Sequence, residues 1–213
     1  VATGASQRIS IIDIATGQKT GEINTESDAG NGIRSFARLP DGRRILALPE
    51  AGGRISIVDP EGGGLIGVVD GGQTPSSIIS SGTGKYLLIP DPTRSTIGIA
   101  SGDHFRSTAQ LSSVEGVSAA YPTWLDSVLF TAGTDRRMAV YDLDAMRQVD
   151  QISLPGVPVT GAVTVDSRTL YLPIRDPAKL LVVDGQTRRV VATLDLPASP
   201  LAAIVPGGVG VCH

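Results

Sequence analysis

The chain is short of most residue types that carry chemistry. Of its 213 residues, two are His and one is Cys. A single thiol excludes an internal disulfide and leaves the redox compartment open. Zinc or copper takes three or four ligands, so His104, His213 and Cys212 do not suffice for a metal site made from this chain alone. Aromatics are 4% of the sequence, with Trp124 the only tryptophan, so Val, Ile and Leu must fill the core. No run of roughly eighteen apolar residues occurs, so a membrane-spanning helix is not expected. Like charges do not cluster either: 18 Lys and Arg face 21 Asp and Glu, for a net charge of −3. Without a basic stripe to hold phosphates, nucleic acid is not an expected partner. The sequence shows neither a signal-peptide pattern nor an initiator Met, and it stops at Cys212-His213. That fits a processed chain, exported or cytosolic, or a part of a longer one.

Turn formers, by contrast, are plentiful. The 26 Gly and 14 Pro recur at intervals instead of clustering, which points to many tight turns and not to a disordered tract. Self-similarity explains the spacing. Five segments share one form: RISIID at 8–13, RISIVD at 54–59, TIGIAS at 96–101, RMAVYD at 137–142 and KLLVVD at 179–184. Their starts lie 46, 42, 41 and 42 residues apart. Alternation of this kind predicts half-buried strands. Four of the segments end in Asp (Asp13, Asp59, Asp142, Asp184), and Ser101 stands there in the third. Each is followed by a turn, a short strand, a Gly/Pro link, a small-residue strand, a second turn and a strongly apolar strand.

Four short strands per repeat, with no helical window, form the unit of a propeller blade. One such sheet cannot shield both its faces, so it needs a neighbour on each side, and radial stacking supplies them. An α-solenoid needs 3.6-residue periodicity, and a parallel β-helix a shorter repeat. The expectation is an all-β, single-domain β-propeller of four-stranded antiparallel blades spanning 1–213. It has about five blades, with repeats near 8–53, 54–95, 96–136, 137–178 and 179–213. Residues 1–7 would complete the ring, and strand 8–13 could pair with 209–213 to close it. Equally, the chain could be part of a seven- or eight-bladed propeller.

The stretches VVDGQTRRVVATLDLPASPLAAIVPGG at 182–208 and IIDIATGQKTGEI at 11–23 resemble the YVTN-type propeller repeat. Leu39-Pro40-Asp41-Gly42 matches its Pro-Asp-Gly turn. The resemblance covers essentially the whole chain, but the matching residues are turn and core positions, specific for fold and not for activity. WD repeats fit less well, since no Gly-His and Trp-Asp pairs occur. The family is similar to the propellers of dissimilatory nitrite reductases, amine dehydrogenases and streptogramin-type lyases, and it includes seven-bladed surface and periplasmic proteins. The resemblance therefore implies a periplasmic or extracellular chain. Seven blades need roughly 290 residues, more than are present.

Each candidate site has a chemical reading and a plainer one. Cys212-His213 ends like a C-x-x-C-H haem c motif, but Val209 stands at the first cysteine position; the plainer reading is a closing strand. His104 is a general base or a solvated turn residue. The strand-ending Asp residues are a carboxylate ring or turn caps, and Asp accepts backbone N–H bonds in a following turn. Arg94, Arg136, Arg137 and Arg175 fall in equivalent inter-strand loops, expected on one face, and form an anion- or protein-docking patch or an ordinary solvated surface. Trp124, in YPTWL where other repeats have their second strand and Pro turn, is a partner anchor or packs between blades.

No convergent catalytic set emerges, so whether the chain catalyses anything stays open. The leading expectation is a non-catalytic scaffold or recognition subunit that binds other proteins and holds no cofactor. The rivals are a subunit of a haem- or quinone-dependent redox enzyme, and a small-ligand lyase or hydrolase acting at the funnel.

Overall fold

The computed structural model describes residues 2, 7–25, 32–72 and 75–206. Eighteen strands and no helix occur among them. They form five antiparallel sheets, each a simple meander in chain order. The first holds β1 (Arg8–Ile12) and β2 (Lys19–Asn24). The second holds β3 (Ile33–Arg38), β4 (Ile45–Pro49), β5 (Arg54–Asp59) and β6 (Gly64–Asp70). The third has β7 (Ile79–Ser80), β8 (Tyr86–Asp91), β9 (Thr96–Ser101) and β10 (Ser107–Ser112). The fourth has β11 (Ala119–Thr123), β12 (Val128–Ala132), β13 (Arg137–Asp142) and β14 (Arg147–Ser153). The fifth has β15 (Ala162–Val163), β16 (Thr169–Ile174), β17 (Lys179–Asp184) and β18 (Arg189–Asp195).

The repeated hexapeptides are therefore the third strands of the sheets, β1 supplying the third-strand position of the first, so the blades run out of phase with the sequence repeats. Each sheet contacts the next in chain order. Strand side chains alternate between the two faces, and the core is accordingly divided into four inter-sheet clusters. In β13, Met138 and Val140 pack toward the fifth sheet, while Ala139 and Tyr141 pack toward the third. In β5, Ile55 and Ile57 face the third sheet and Val58 faces the first.

This arrangement corrects one expectation. The alternating third strands were expected to be half-buried, yet in β5 and β13 all four central residues are buried. Their small residues, Ser56 and Ala139, are buried on the side of the preceding sheet. A sheet with neighbours on both faces buries both, as its near-continuous apolar strands require. The fourth strands are instead largely exposed, as in β14 and β18, because they lie at the outer edge.

The fold is a β-propeller whose described sheets form an open arc, not a closed ring. The closing role expected of residues 1–7 and 209–213 falls mostly outside the described residues. So does the Cys212-His213 motif.

Candidate functional site

The meander sends every turn between second and third strands to one face of the disc. The turns between third and fourth strands, and between first and second, go to the other. Arg94, Arg136, Arg137 and Arg175 lie in or beside the β8–β9, β12–β13 and β16–β17 turns, so all four occupy the same face, as their spacing suggests.

Their surroundings separate them. Arg137 is committed: its Nε donates to Asp135 Oδ2 at 2.6 Å, and Asp135 Oδ1 also accepts the Arg137 N–H. Arg94 is exposed, with only its backbone N–H engaged, by the buried carboxylate of Asp91. Arg94 borders a polar cleft of about 220 Å³ that also includes Asp70, Asp91, Thr96 and Gln110. Arg136 is exposed at φ 61°, and its carbonyl accepts the Leu154 N–H. The Arg175 N–H donates to the Val157 carbonyl, and the Arg175 carbonyl accepts the Ser199 hydroxyl at 3.0 Å. The guanidinium groups of Arg94, Arg136 and Arg175 have no hydrogen-bond or ion-pair partner among the described residues. Three well-positioned backbones thus carry three uncommitted cations.

On the opposite face the strand-ending side chains are satisfied by their own turns. Asp59 Oδ1 accepts the N–H groups of Glu61 and Gly62, both at 3.0 Å. Asp142 Oδ1 accepts those of Asp144 and Ala145. Asp13 and Asp184 each accept an N–H and a hydroxyl from a Thr three residues on. In the third sheet the Ser101 hydroxyl plays the same part for Asp103 and His104. The Asp residues are therefore turn caps. Backbone hydrogen bonds hold Asp13, Asp142 and Asp184 below the usual carboxylate range, and for Asp59 the main cause is the Arg43 guanidinium, 2.6 Å away. His104 is an exposed turn residue on this face.

Trp124 lies in the first-to-second turn of the fourth sheet, just past β11, and not at a second strand. It packs against the core between the fourth and fifth sheets, with the Arg168 guanidinium over its ring. Trp124, Leu125 and Asp126 all have positive φ (49°, 53° and 66°), a conformation that L-residues adopt only when their surroundings fix it. The fixing contacts are present. Trp124 N–H donates to the Ser167 carbonyl at 2.6 Å. Buried Asp126 reaches into the preceding sheet's turn, accepting Gly82 N–H at 2.9 Å, Thr83 N–H at 3.0 Å and the Thr83 hydroxyl. Nothing local in the sequence announces this clasp, because its partners are more than 40 residues away.

Around the axis, small residues of the first strands line a groove of about 530 Å³, among them Ser76, Ser80, Ala119, Gly161 and Ala162. Among its described lining residues the one ionisable group is Tyr121, whose hydroxyl accepts the Gly161 N–H and whose pKa burial pushes up to about 12. Ser77 Oγ is buried without a hydrogen-bond partner among the described residues. The groove can take a small uncharged molecule; its described lining offers no group that gains or loses a proton near neutrality.

These features define a β-propeller protein with one face of self-capped turns and one bearing arginines on three equivalent turns. Its backbone is similar to a chain of the Kuenenia stuttgartiensis hydrazine synthase, at 16% identity and a TM-score of 0.66, over 74% of this chain and 47% of that one. It is also similar to a chain of the mitotic checkpoint complex, at 14% identity and a TM-score of 0.74, over 94% of this chain and 62% of that one. This chain thus spans less than two thirds of either. At such identities the likeness concerns fold alone. No family model matches the sequence, and no match was found among curated protein sequences.

Proposed function

We propose that the chain is a scaffold or recognition subunit that binds another protein through its arginine-bearing face. The observation that carries this reading is the placement of Arg94, Arg136 and Arg175 on equivalent turns of three consecutive sheets, each without a side-chain acceptor among the described residues. Guanidinium groups suit planar, bidentate recognition of carboxylates, so the partner presents an acidic surface. A rigid disc with variable loops supports such a role, since the loops change without disturbing the core.

The two similar structures belong to an enzyme and to a multiprotein complex by their names. That contrast leaves the fold neutral between catalysis and assembly, and the site must decide. The resemblance to YVTN-type repeats adds a location: the subunit belongs to an exported assembly of a bacterium.

The test is the triple variant Arg94→Ala, Arg136→Ala, Arg175→Ala in the native assembly. Loss of the partner from the complex on size-exclusion chromatography, with unfolding unchanged, is the expected result. An intact complex would refute the arginine face. The absorption spectrum of the purified protein is a second check. A Soret band bound to this chain would replace the scaffold by the redox-subunit reading.

A further inference from the structure

In each four-stranded sheet, three equivalent positions of the second and third strands point toward the following side. In the second sheet they are Leu46, Ile55 and Ile57; in the third, Leu88, Ile97 and Ile99; in the fourth, Phe130, Met138 and Val140. All nine are at most 1% exposed. Strand pairing fixes the equivalence: Leu46 stands opposite Ile57, Leu88 opposite Ile99, Phe130 opposite Val140 and Tyr171 opposite Val182. Leu180 completes the set in the fifth sheet. Yet Tyr171, Leu180 and Val182 are only part-buried. Tyr171 and Leu180 look onto an apolar hollow of about 500 Å³ bordered also by Pro173, Leu196 and Ile204.

A second observation concerns the segment at 200–206. Ala202 bridges Thr160 in parallel, and Ala203 N–H donates to the Thr160 carbonyl at 2.8 Å. Ala203, Ile204 and Val205 join first-strand residues of the third, fourth and fifth sheets along the axial groove. The segment therefore sits where the first strand of a next sheet belongs. Leu201 and Ile204 are 83% and 80% exposed, with no other strand of that sheet beside them among the described residues.

We infer that the outward face of the fifth sheet is an interface for one further sheet of this repeat, in the same polypeptide, with 200–206 as its innermost strand. The occupant's chemistry follows from the three interfaces between four-stranded sheets. On their far side stand alternating aliphatic residues of a second and a third strand, such as Leu170, Leu172, Leu181 and Val183 against the fourth sheet. A contiguous apolar patch rimmed by polar residues marks an interface, and this patch repeats one the molecule buries three times.

Thiol accessibility in the native full-length polypeptide tests the inference. Leu180→Cys is compared with Val140→Cys as the covered control and Arg189→Cys as the exposed one, each in a Cys212→Ala background. Covered thiols react only through opening of the structure. Leu180→Cys should be modified by a maleimide at least about 100-fold more slowly than Arg189→Cys and within about threefold of Val140→Cys. Modification as fast as at Arg189→Cys would overturn the proposal. So would protection that disappears on dilution together with a halving of mass, since the occupant would then be a second copy.

Discussion

The two faces of the disc are built from turns of the same repeat and end in different chemical states. On one, Asp13, Asp59, Asp142 and Asp184, with Ser101, spend their acceptors on the next few backbone N–H groups, and Asp126 ties two sheets together. On the other, Arg94, Arg136 and Arg175 are held at the backbone and left open at the side chain. The lesson is that the carboxylates of one face are committed to holding the structure, while three arginines on equivalent turns of the other are not. Substitutions should therefore cost stability on the first face and binding on the second.

The largest effect is expected where turns meet most closely. A Cβ at Gly102 would lie 1.7 Å from the Gly84 carbonyl oxygen. Gly102→Ala must displace backbone and should cost about 3 kcal/mol in urea unfolding. A cost near zero would show that the turns do not approach in this way. Next comes Asp126→Ala, which strands the Gly82 and Thr83 N–H groups. Hydrogen bonds to a charged group contribute about 1.5–3 kcal/mol, a loss measurable by the same method.

The turn caps have a smaller effect and a pH signature. Their folded pKa values lie below the unfolded value of about 3.9, so their contribution is fully present above that value. It is lost as pH falls through the folded values. The double variant Asp59→Ala, Asp142→Ala should therefore lower the urea midpoint at pH 6 and flatten its decline between pH 6 and pH 3. An unchanged slope would detach these carboxylates from the turns. Smallest of all, the triple arginine variant should shift stability by no more than about 0.5 kcal/mol while removing the partner.

Much of this contrast was legible in the sequence, for a physical reason. The Asp caps act over two or three residues, so the repeat and its turn chemistry display them directly. The four-strand unit was equally visible, as were the small residues that let first strands converge on the axis. The Asp126 clasp and the left-handed turn at Trp124 were not, because they depend on how one sheet's turn meets its neighbour's. Nor could alternation alone reveal that Ser56 is buried; that requires knowing that the preceding sheet covers its face. The separation of Arg137, paired to Asp135, from its three free neighbours likewise needed side-chain geometry.

The whole account stands on sheets that bury both faces against their neighbours. Ile57→Ala and Ile99→Ala probe this in two different interfaces at the same repeat position. Each should cost about 2–5 kcal/mol in equilibrium urea unfolding, the range for truncating a buried aliphatic residue. A loss below about 0.5 kcal/mol at either position, the size of a surface substitution, would contradict the stacking of these sheets.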